Sequence, residues 1–147
     1  MDSVLSMNVK RILVVDDNPV ILKTLEYKLR VNGFEVLTAR DGGEAVSLVR
    51  RDRPDLVLLD IDFPPDVEHG GGVAWDGFLI MDWLRRMDEG KDVPVVMITG
   101  GEPAQYMDKA LAAGVVCLLH KPIHTAELLE AVRHALGEGV STQNQPV

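Results

Sequence analysis

The sequence predicts a single α/β domain built on a doubly wound, five-stranded parallel sheet. Five short apolar runs, rich in Val, Ile and Leu and bounded by Gly, Pro or Asp, are typical of strands buried on both faces. Segments with helical spacing of apolar residues alternate with these runs, which favours a parallel sheet with helices on both sides. The runs are RILVV (11–15), FEVLTA (34–39), DLVLLD (55–60), VPVVMI (93–98) and VVCLL (115–119).

The predicted helices carry recognisable signals at their ends. Segment 19–32 begins with a proline and stops before Gly33, residue types that are enriched at helix starts and ends respectively. Segment 42–52 follows Asp41, a favourable N-cap, and Glu44 three residues later completes a pattern like a capping box. The remaining predicted helices are 77–88, after Asp76, 103–113 and 125–136.

Composition and charge exclude several classes of function. The chain has 147 residues, 46% of them hydrophobic and 26% charged, which suits one globular domain with one core. Its net charge of −8 argues against non-specific binding to nucleic acid, which needs clustered Lys and Arg. The sequence contains no apolar run near the roughly 18 residues that cross a bilayer, and its first residues do not resemble a signal peptide. We therefore expect no direct contact with nucleic acid or membrane.

The expected organisation is an N-terminal arm (1–9), one domain (10–137) and a polar, flexible tail (138–147), with no second domain and no linker to an output module. The single cysteine, Cys117, lies in an apolar run and has no partner for an internal disulfide. We expect it to be a buried small hydrophobe, which fits a reducing compartment and hence a cytoplasmic protein.

Polar side chains stand at the carboxyl ends of four predicted strands. Asp16 and Asp17 follow the first strand, Asp60 ends the third, Thr99 follows the fourth and Lys121 follows the fifth. Parallel strands end at one edge of the sheet, where open α/β sheets bind their ligands. These side chains are therefore expected to converge although they are far apart in sequence.

This set of residue types suits one chemistry. Clustered carboxylates repel one another, and a divalent cation with a preference for oxygen, such as Mg²⁺, offsets that repulsion. A carboxylate can attack phosphorus to form an acyl phosphate, while a lysine and a hydroxyl bind the phosphoryl oxygens. The strand ends therefore indicate a phosphoryl-transfer site.

Four motifs in order resemble bacterial two-component response-regulator receiver domains. They are VVDDNP (14–19), LVLLDID (56–62), VMITGG (96–101) and HKPI (120–123), and the resemblance covers roughly residues 10–136. It implies the flavodoxin-like strand order 2-1-3-4-5. It also implies a Mg²⁺ site made by Asp17 and Asp60 directly, by Asp16 directly or through water, and by the main-chain carbonyl of Asp62.

The same resemblance implies the roles of the remaining site residues. Asp60 would be the phosphoacceptor, Thr99 would bind the phosphoryl group, and Lys121 would pair with its oxygens. Small Gly100 would leave access, and the peptide bond between Lys121 and Pro122 is expected to be cis.

The implied function is a phosphorelay switch. A sensor histidine kinase or a phosphotransfer protein would supply the phosphoryl group, and a downstream protein effector would recognise the fourth helix, fifth strand and fifth helix. The domain would dephosphorylate itself slowly without being a turnover enzyme, as a monomer or weak homodimer.

Two departures from the family pattern raise specific questions. An insertion, PDVEHGGGVAW (65–75), separates Pro64 from the Asp-Gly pair that opens the third helix. Leu79 and Trp83 lie beyond the apolar stripe of that helix, so we expect Val73 or Trp75 from the insertion, or a partner, to cover them. Leu118 stands where the family often has an aromatic switch residue, which puts the usual relay in doubt.

Other functions remain possible from the residues alone. A degenerate receiver acting as a scaffold is the nearest rival. A phosphatase of the haloacid-dehalogenase type has a similar aspartate motif, but normally on its first strand. A flavodoxin-like flavin carrier would need a phosphate loop that the first strand lacks. Taken singly, the acidic pair is better explained by helix capping, Thr99 by a turn and Lys121 by a solvated surface, and only their conjunction favours a functional site.

Overall fold

The computed structural model describes residues 9–61 and 76–137, in which strand and helix alternate throughout. The predicted arm (1–9), insertion (65–75) and tail (138–147) lie almost wholly outside the described residues. The elements are β1 (Arg11–Val15), α1 (Pro19–Arg30), β2 (Glu35–Ala39), α2 (Gly42–Asp52), β3 (Leu56–Asp60), α3 (Gly77–Arg86), β4 (Val95–Thr99), α4 (Pro103–Ala112), β5 (Cys117–His120) and α5 (Thr125–Ala135).

The described strands form one parallel sheet in the order β2-β1-β3-β4-β5. Every residue of β3 and β4 is buried, as the continuous apolar runs predicted. The chain reverses its direction of winding after β2, which places the switch point of the sheet between β1 and β3. The predicted doubly wound fold and strand order are confirmed.

Alternate residues of each strand supply two separate core clusters, one on each face of the sheet. Leu13 and Leu59 pack in the layer of α2, α3 and α4. Ile12 and Leu58 pack in the layer of α1 and α5. The central strands are therefore covered by helices on both faces. Close packing on both sides holds these strands rigidly.

Among the described helices, α1, α2 and α3 begin with a side-chain cap, whereas the N-cap residues of α4 and α5 make no side-chain capping bond. Asp41 accepts a hydrogen bond from Glu44 N, and Asp76 accepts one from Leu79 N, each at 2.8 Å. The Glu44 carboxylate reaches back to Arg40 N at 2.9 Å rather than to the N-cap residue itself. The predicted capping box is thus present in a form displaced by one residue.

Two predictions about the strands need correction. The fourth strand, predicted over 93–98, runs from Val95 to Thr99, because Pro94 has no N–H to donate to the ladder and Thr99 still pairs with His120. Cys117 is half-buried rather than buried, since β5 is an edge strand. Burial and the nearby Glu127 raise the pKa of its thiol.

In the two stretches that the structure describes, none of the helices is long and apolar enough to cross a membrane.

Candidate functional site

The predicted site residues meet at the carboxyl edge of the sheet. Asp60 is the last residue of β3, Thr99 is the last of β4, and Asp16 follows β1 directly. All three are almost completely buried, with 0–1% of their surface exposed. Buried polar side chains are costly unless they are paired, so their concentration at one edge marks a functional site rather than a structural accident.

Lys121 reaches this edge from the loop after β5. Its Nζ lies 3.2 Å from Asp16 Oδ2 and 3.4 Å from Asp60 Oδ1. Its main-chain N–H donates to Thr99 O at 2.8 Å, which fixes the loop beside β4. Partial burial by itself lowers the pKa of Lys121, but attraction to Asp60 and Asp16 outweighs it and raises the pKa above its ordinary value. The lysine is therefore held as a cation between two carboxylates.

Three carboxylates crowd around one point. Asp16, Asp17 and Asp60 each offer an oxygen, and these atoms all lie within 4.8 Å of one another. Burial, followed by the charge of Asp16, raises the pKa of Asp17, which means that its ionised form is disfavoured. One lysine does not neutralise three such groups. A hard divalent cation that takes oxygen ligands fits this donor set.

The acidic pair is not used to cap the first helix. Asn18 is the N-cap of α1, and its side chain accepts hydrogen bonds from Val20 N and Ile21 N. Asp16 instead accepts Asn18 N at 2.9 Å through one carboxylate oxygen, while the other faces Lys121. The capping explanation of Asp16 and Asp17 is therefore wrong, because their neighbour performs that task.

Thr99 places a hydroxyl at the same edge of the sheet as the carboxylates. Its Oγ1 accepts a hydrogen bond from Gly101 N at 2.9 Å, which ties the turn after β4 to the site. Gly100, between them, is exposed and presents no side chain above the hydroxyl. The peptide bond between Lys121 and Pro122 is cis, as expected. His120, the last residue of β5, is exposed. The predicted carbonyl ligand, Asp62, lies outside the described residues.

Gly77 is a positioning residue whose role the sequence did not reveal. A β-carbon on this glycine would lie 2.7 Å from the carbonyl oxygen of Asp60 and 2.8 Å from Ile61 Cα, closer than real contacts allow. Its N–H donates to Ile61 O at 3.1 Å. The start of α3 therefore presses against the chain where it leaves Asp60, and only the Asp76-Gly77 dipeptide hinted at this.

The two departures have different outcomes. Trp83 is 43% exposed and stands outside the core formed by Ile80 and Leu84, so it does not pack toward the sheet. Val73 and Trp75, expected to cover it, lie outside the described residues, and that idea stays a prediction. Leu118 is partly buried against the core on β5, where an aromatic ring was expected from the family pattern.

Fold and site together define an α/β signalling module with an acidic pocket at the carboxyl edge of its sheet. Residues 12–133 match the family model of the response regulator receiver domain. The chain belongs to this family, and it is a receiver domain of the kind that works in phosphorelay signalling. Receiver domains are signalling switches that bind Mg²⁺ in an acidic pocket and interact with histidine kinases and effectors.

Curated relatives agree with this assignment. The transcriptional regulatory protein PrrA of Mycobacterium bovis is 39% identical over 132 residues, which cover 90% of this chain and 52% of the relative. This chain thus spans about half the length of such relatives. The polar-differentiation response regulator DivK of Brucella anthropi is 28% identical, with 88% of this chain and 98% of the relative covered.

Solved structures show the same fold. The chemotaxis protein CheY4 of Vibrio cholerae has a TM-score of 0.76 at 26% identity, with 86% of this chain and 98% of that chain covered. The receiver domain of the sensor histidine kinase PA1611 of Pseudomonas aeruginosa has a TM-score of 0.75 at 30% identity, covering 88% and 98% respectively. That structure has a magnesium ion coordinated in its active-site cleft.

Proposed function

We propose that Asp60 is the phosphoacceptor of this receiver domain. The observation that carries the proposal is the position of the buried Asp60 carboxylate, 3.4 Å from Lys121 Nζ and clustered with Asp16 and Asp17. A carboxylate oxygen of Asp60 attacks the phosphorus of a phosphohistidine on a kinase or phosphotransfer protein. The bond between phosphorus and the imidazole nitrogen breaks, and its electron pair stays on that nitrogen.

Lys121 and Thr99 bind the phosphoryl oxygens in this proposal. Lys121 already lies between two carboxylates with its charge stabilised, so it can neutralise negative charge as the acyl phosphate forms. The Thr99 hydroxyl can leave Gly101 N and donate a hydrogen bond to a phosphoryl oxygen. Exposed Gly100 leaves room for the phosphodonor to approach.

Asp16, Asp17 and Asp60, with the main-chain carbonyl of Asp62, would hold Mg²⁺. When bound, the ion supplies positive charge that screens the carboxylates from one another and from the incoming phosphoryl group. Two observations support this assignment: the oxygens of the three side chains lie within 4.8 Å, and Asp17 has a raised pKa that a cation would lower.

The acyl phosphate would act as a local charge change that shifts the domain between two conformations. Water then hydrolyses the Asp60 phosphate slowly, so the domain is a switch rather than a turnover enzyme. A downstream protein would read the face made by α4, β5 and α5. The free thiol of Cys117 supports a reducing, cytoplasmic site of action.

The test is labelling with acetyl phosphate and Mg²⁺, followed by intact mass measurement. The parent protein is expected to gain one phosphoryl group, and Asp60→Asn none. Asp82→Asn is a matched control, because Asp82 is an exposed carboxylate on α3 that pairs with Arg86. Omission of Mg²⁺ should abolish labelling. Labelling of Asp60→Asn to the level of the parent would contradict the proposal, and no labelling of any variant would leave the scaffold function in its place.

A further inference from the structure

The residue expected to relay phosphorylation is missing from β5. Leu118 pairs with Met97 and packs against the core, but it has neither a ring nor a polar group. Two aromatic side chains, Phe78 on α3 and Tyr106 on α4, pack against the same core cluster. They lie on the face of the sheet that carries α4, the helix that the proposed function requires to respond.

Tyr106 lies beside the turn that Thr99 holds. A β-carbon placed on Gly101 would be 3.6 Å from both Thr99 Oγ1 and Tyr106 Cε2, and 3.9 Å from Tyr106 Oη. Gly101 therefore lies close to both the Thr99 hydroxyl and the Tyr106 ring. Because Gly101 N also donates to Thr99 Oγ1 at 2.9 Å, a χ1 rotation of the Thr99 side chain away from Gly101 would break this bond and free the turn beside the ring.

The ring of Tyr106 is also joined to the neighbouring helix. Its centroid lies 6.2 Å from that of Phe78, at an interplanar angle of 30°. Lys109, one turn further along α4, places its ammonium 4.4 Å from the centroid of the Phe78 ring. Aromatic pairs and cation–π contacts both add stability beyond that of burying apolar surface. Phe78 therefore holds α4 at two points on one side of that helix.

The rest of α4 is loosely held. Of its ten residues only Ala110 is buried, and its N-cap residue, Glu102, makes no side-chain capping bond. Met107 and Leu111 are exposed on the same helix, by 37% and 54%. An element with so few buried contacts belongs to the low-stability part of a fold and moves at small cost.

We propose that Tyr106, which lies beside the Gly101 turn and in tilted contact with Phe78, couples the Thr99 hydroxyl to the position of α4, a task that Leu118 cannot perform. When Thr99 turns toward the phosphoryl group, Gly101 loses its hydrogen bond and the turn shifts. The Tyr106 ring then slides on Phe78, and α4 moves with its exposed Met107 and Leu111. The inference rests on the proposed function, because it needs a phosphoryl group that recruits Thr99. Tyr106 is a positioning residue here and touches no reacting atom.

The test uses the full chain with Mg²⁺ and beryllofluoride, a mimic of the phosphoryl group, and records amide chemical shifts by NMR. In the parent, the amides of Ile61 and Gly100 near the site and those of Met107 and Leu111 on α4 are all expected to shift. In Tyr106→Leu, the shifts near the site should persist while those on α4 fall at least twofold. Tyr106→Phe should behave as the parent, because the ring contact carries the coupling.

Controls separate coupling from damage to the fold. Tyr27→Leu removes an exposed tyrosine from α1, and should leave all the shifts as in the parent. Phe78→Leu removes the other ring and should reproduce the effect of Tyr106→Leu, so the test does not depend on one variant folding. Full α4 shifts in both leucine variants, or their loss in Tyr106→Phe, would overturn the coupling. Absence of shifts near the site in the parent would instead overturn the proposed function, and the coupling with it.

Discussion

The centre of the sheet and its α4 edge are built in opposite ways. In the centre, all five residues of β3 and all five of β4 are buried, and each strand is covered on both faces. At the edge, α4 buries one residue of ten, and β5 is half-exposed. Asp60 and Thr99 thus stand at the ends of the two most deeply buried strands, while the helix that would report the reaction is weakly held. A switch needs both properties, since the site must keep its geometry while another surface moves.

The difference in packing gives the largest expected effect. Leu58→Ala in β3 should lower the free energy of unfolding by about 3 kcal/mol, because it opens a cavity at a fully buried position. Leu111→Ala in α4 should change it by less than about 0.5 kcal/mol, because that side chain is 54% exposed. Urea unfolding followed by circular dichroism measures both. Equal losses in the two variants would contradict the contrast between centre and edge.

The next effect concerns Lys121, which reaches the central carboxylates from the loop after the edge strand β5. Lys121→Ala should slow labelling of Asp60 by acetyl phosphate by about 100-fold, the scale of losing one preorganised charge at a transition state. The matched control is Lys91→Ala, which removes an exposed lysine paired loosely with Asp88 and should react at the parental rate. Labelling of Lys121→Ala within twofold of the parent would remove the lysine from the mechanism.

A third prediction concerns Arg85, whose hydrogen bonds connect α3 to the loops before β4 and after α4. Arg85 on α3 donates to the carbonyls of Gly90 and Val93, each at 2.9 Å, and to that of Gly114 at 3.4 Å. Burial lowers the pKa of this guanidinium, while Asp92 opposes the shift. Arg85→Met should destabilise the protein by about 2 kcal/mol, since several carbonyls lose a charged donor.

Arg86→Met is the control for Arg85. Arg86 is largely exposed and pairs only with Asp82 along the helix in the described contacts, so its loss should cost less than about 1 kcal/mol. Thermal unfolding of the two variants, side by side, checks the difference. A larger loss for Arg86→Met would show that the carbonyl contacts of Arg85 do not join the loops.

The smallest effect is a dependence on pH. Because the pKa of Asp17 is raised in the folded state, its contribution favours folding below the ordinary value of 3.8 and is lost as the pH rises through the folded-state pKa. At neutral pH without metal, Asp17→Asn should therefore stabilise the protein, by less than about 1 kcal/mol because solvent partly screens this half-buried group. With Mg²⁺ present, the parent should instead be more stable than Asp17→Asn, because the variant lacks one of the proposed metal ligands.

Thermal unfolding of the parent and the variant, with and without Mg²⁺, tests this reversal. The stabilisation of the parent by Mg²⁺ should also decrease as the pH falls toward the range where Asp17 is protonated. Asp88→Asn is a suitable control, because the Asp88 side chain is exposed. Asp55→Asn is a poor one, because the Asp55 carboxylate accepts a hydrogen bond from Arg11 N. A parent that Mg²⁺ stabilises equally at acid and neutral pH would contradict the metal assignment.

Much of this arrangement was predictable from the sequence for physical reasons. Strands buried on both faces have continuous apolar runs in their sequences, so the described strands could be predicted without a structure. The carboxyl ends of parallel strands share one edge, so Asp16, Asp60 and Thr99 could be placed together from order alone. Their residue types suit phosphoryl transfer, while the role of each residue came from the resemblance to receiver domains and stays a prediction.

The features that could not be predicted depend on tertiary contacts, which no local sequence pattern specifies. The close approach of Gly77 to Asp60 and the hydrogen bond from Arg85 to Gly114 O join segments far apart in sequence. The other three carbonyl contacts of Arg85, and the contact of Tyr106 with the Gly101 turn, depend on how a helix packs against a neighbouring loop. Cys117 was misjudged for a related reason, because a short apolar run does not tell an edge strand from a central one.

The most direct test of the central claim is to identify the residue that carries the phosphoryl group. After reaction with acetyl phosphate and Mg²⁺, borohydride reduction converts an aspartyl phosphate to homoserine, which peptide mass spectrometry can locate. We predict modification at Asp60, abolished by omitting Mg²⁺. Modification at any other residue, or undiminished modification of Asp60 without Mg²⁺, would show that the strand ends do not form one metal-assisted site.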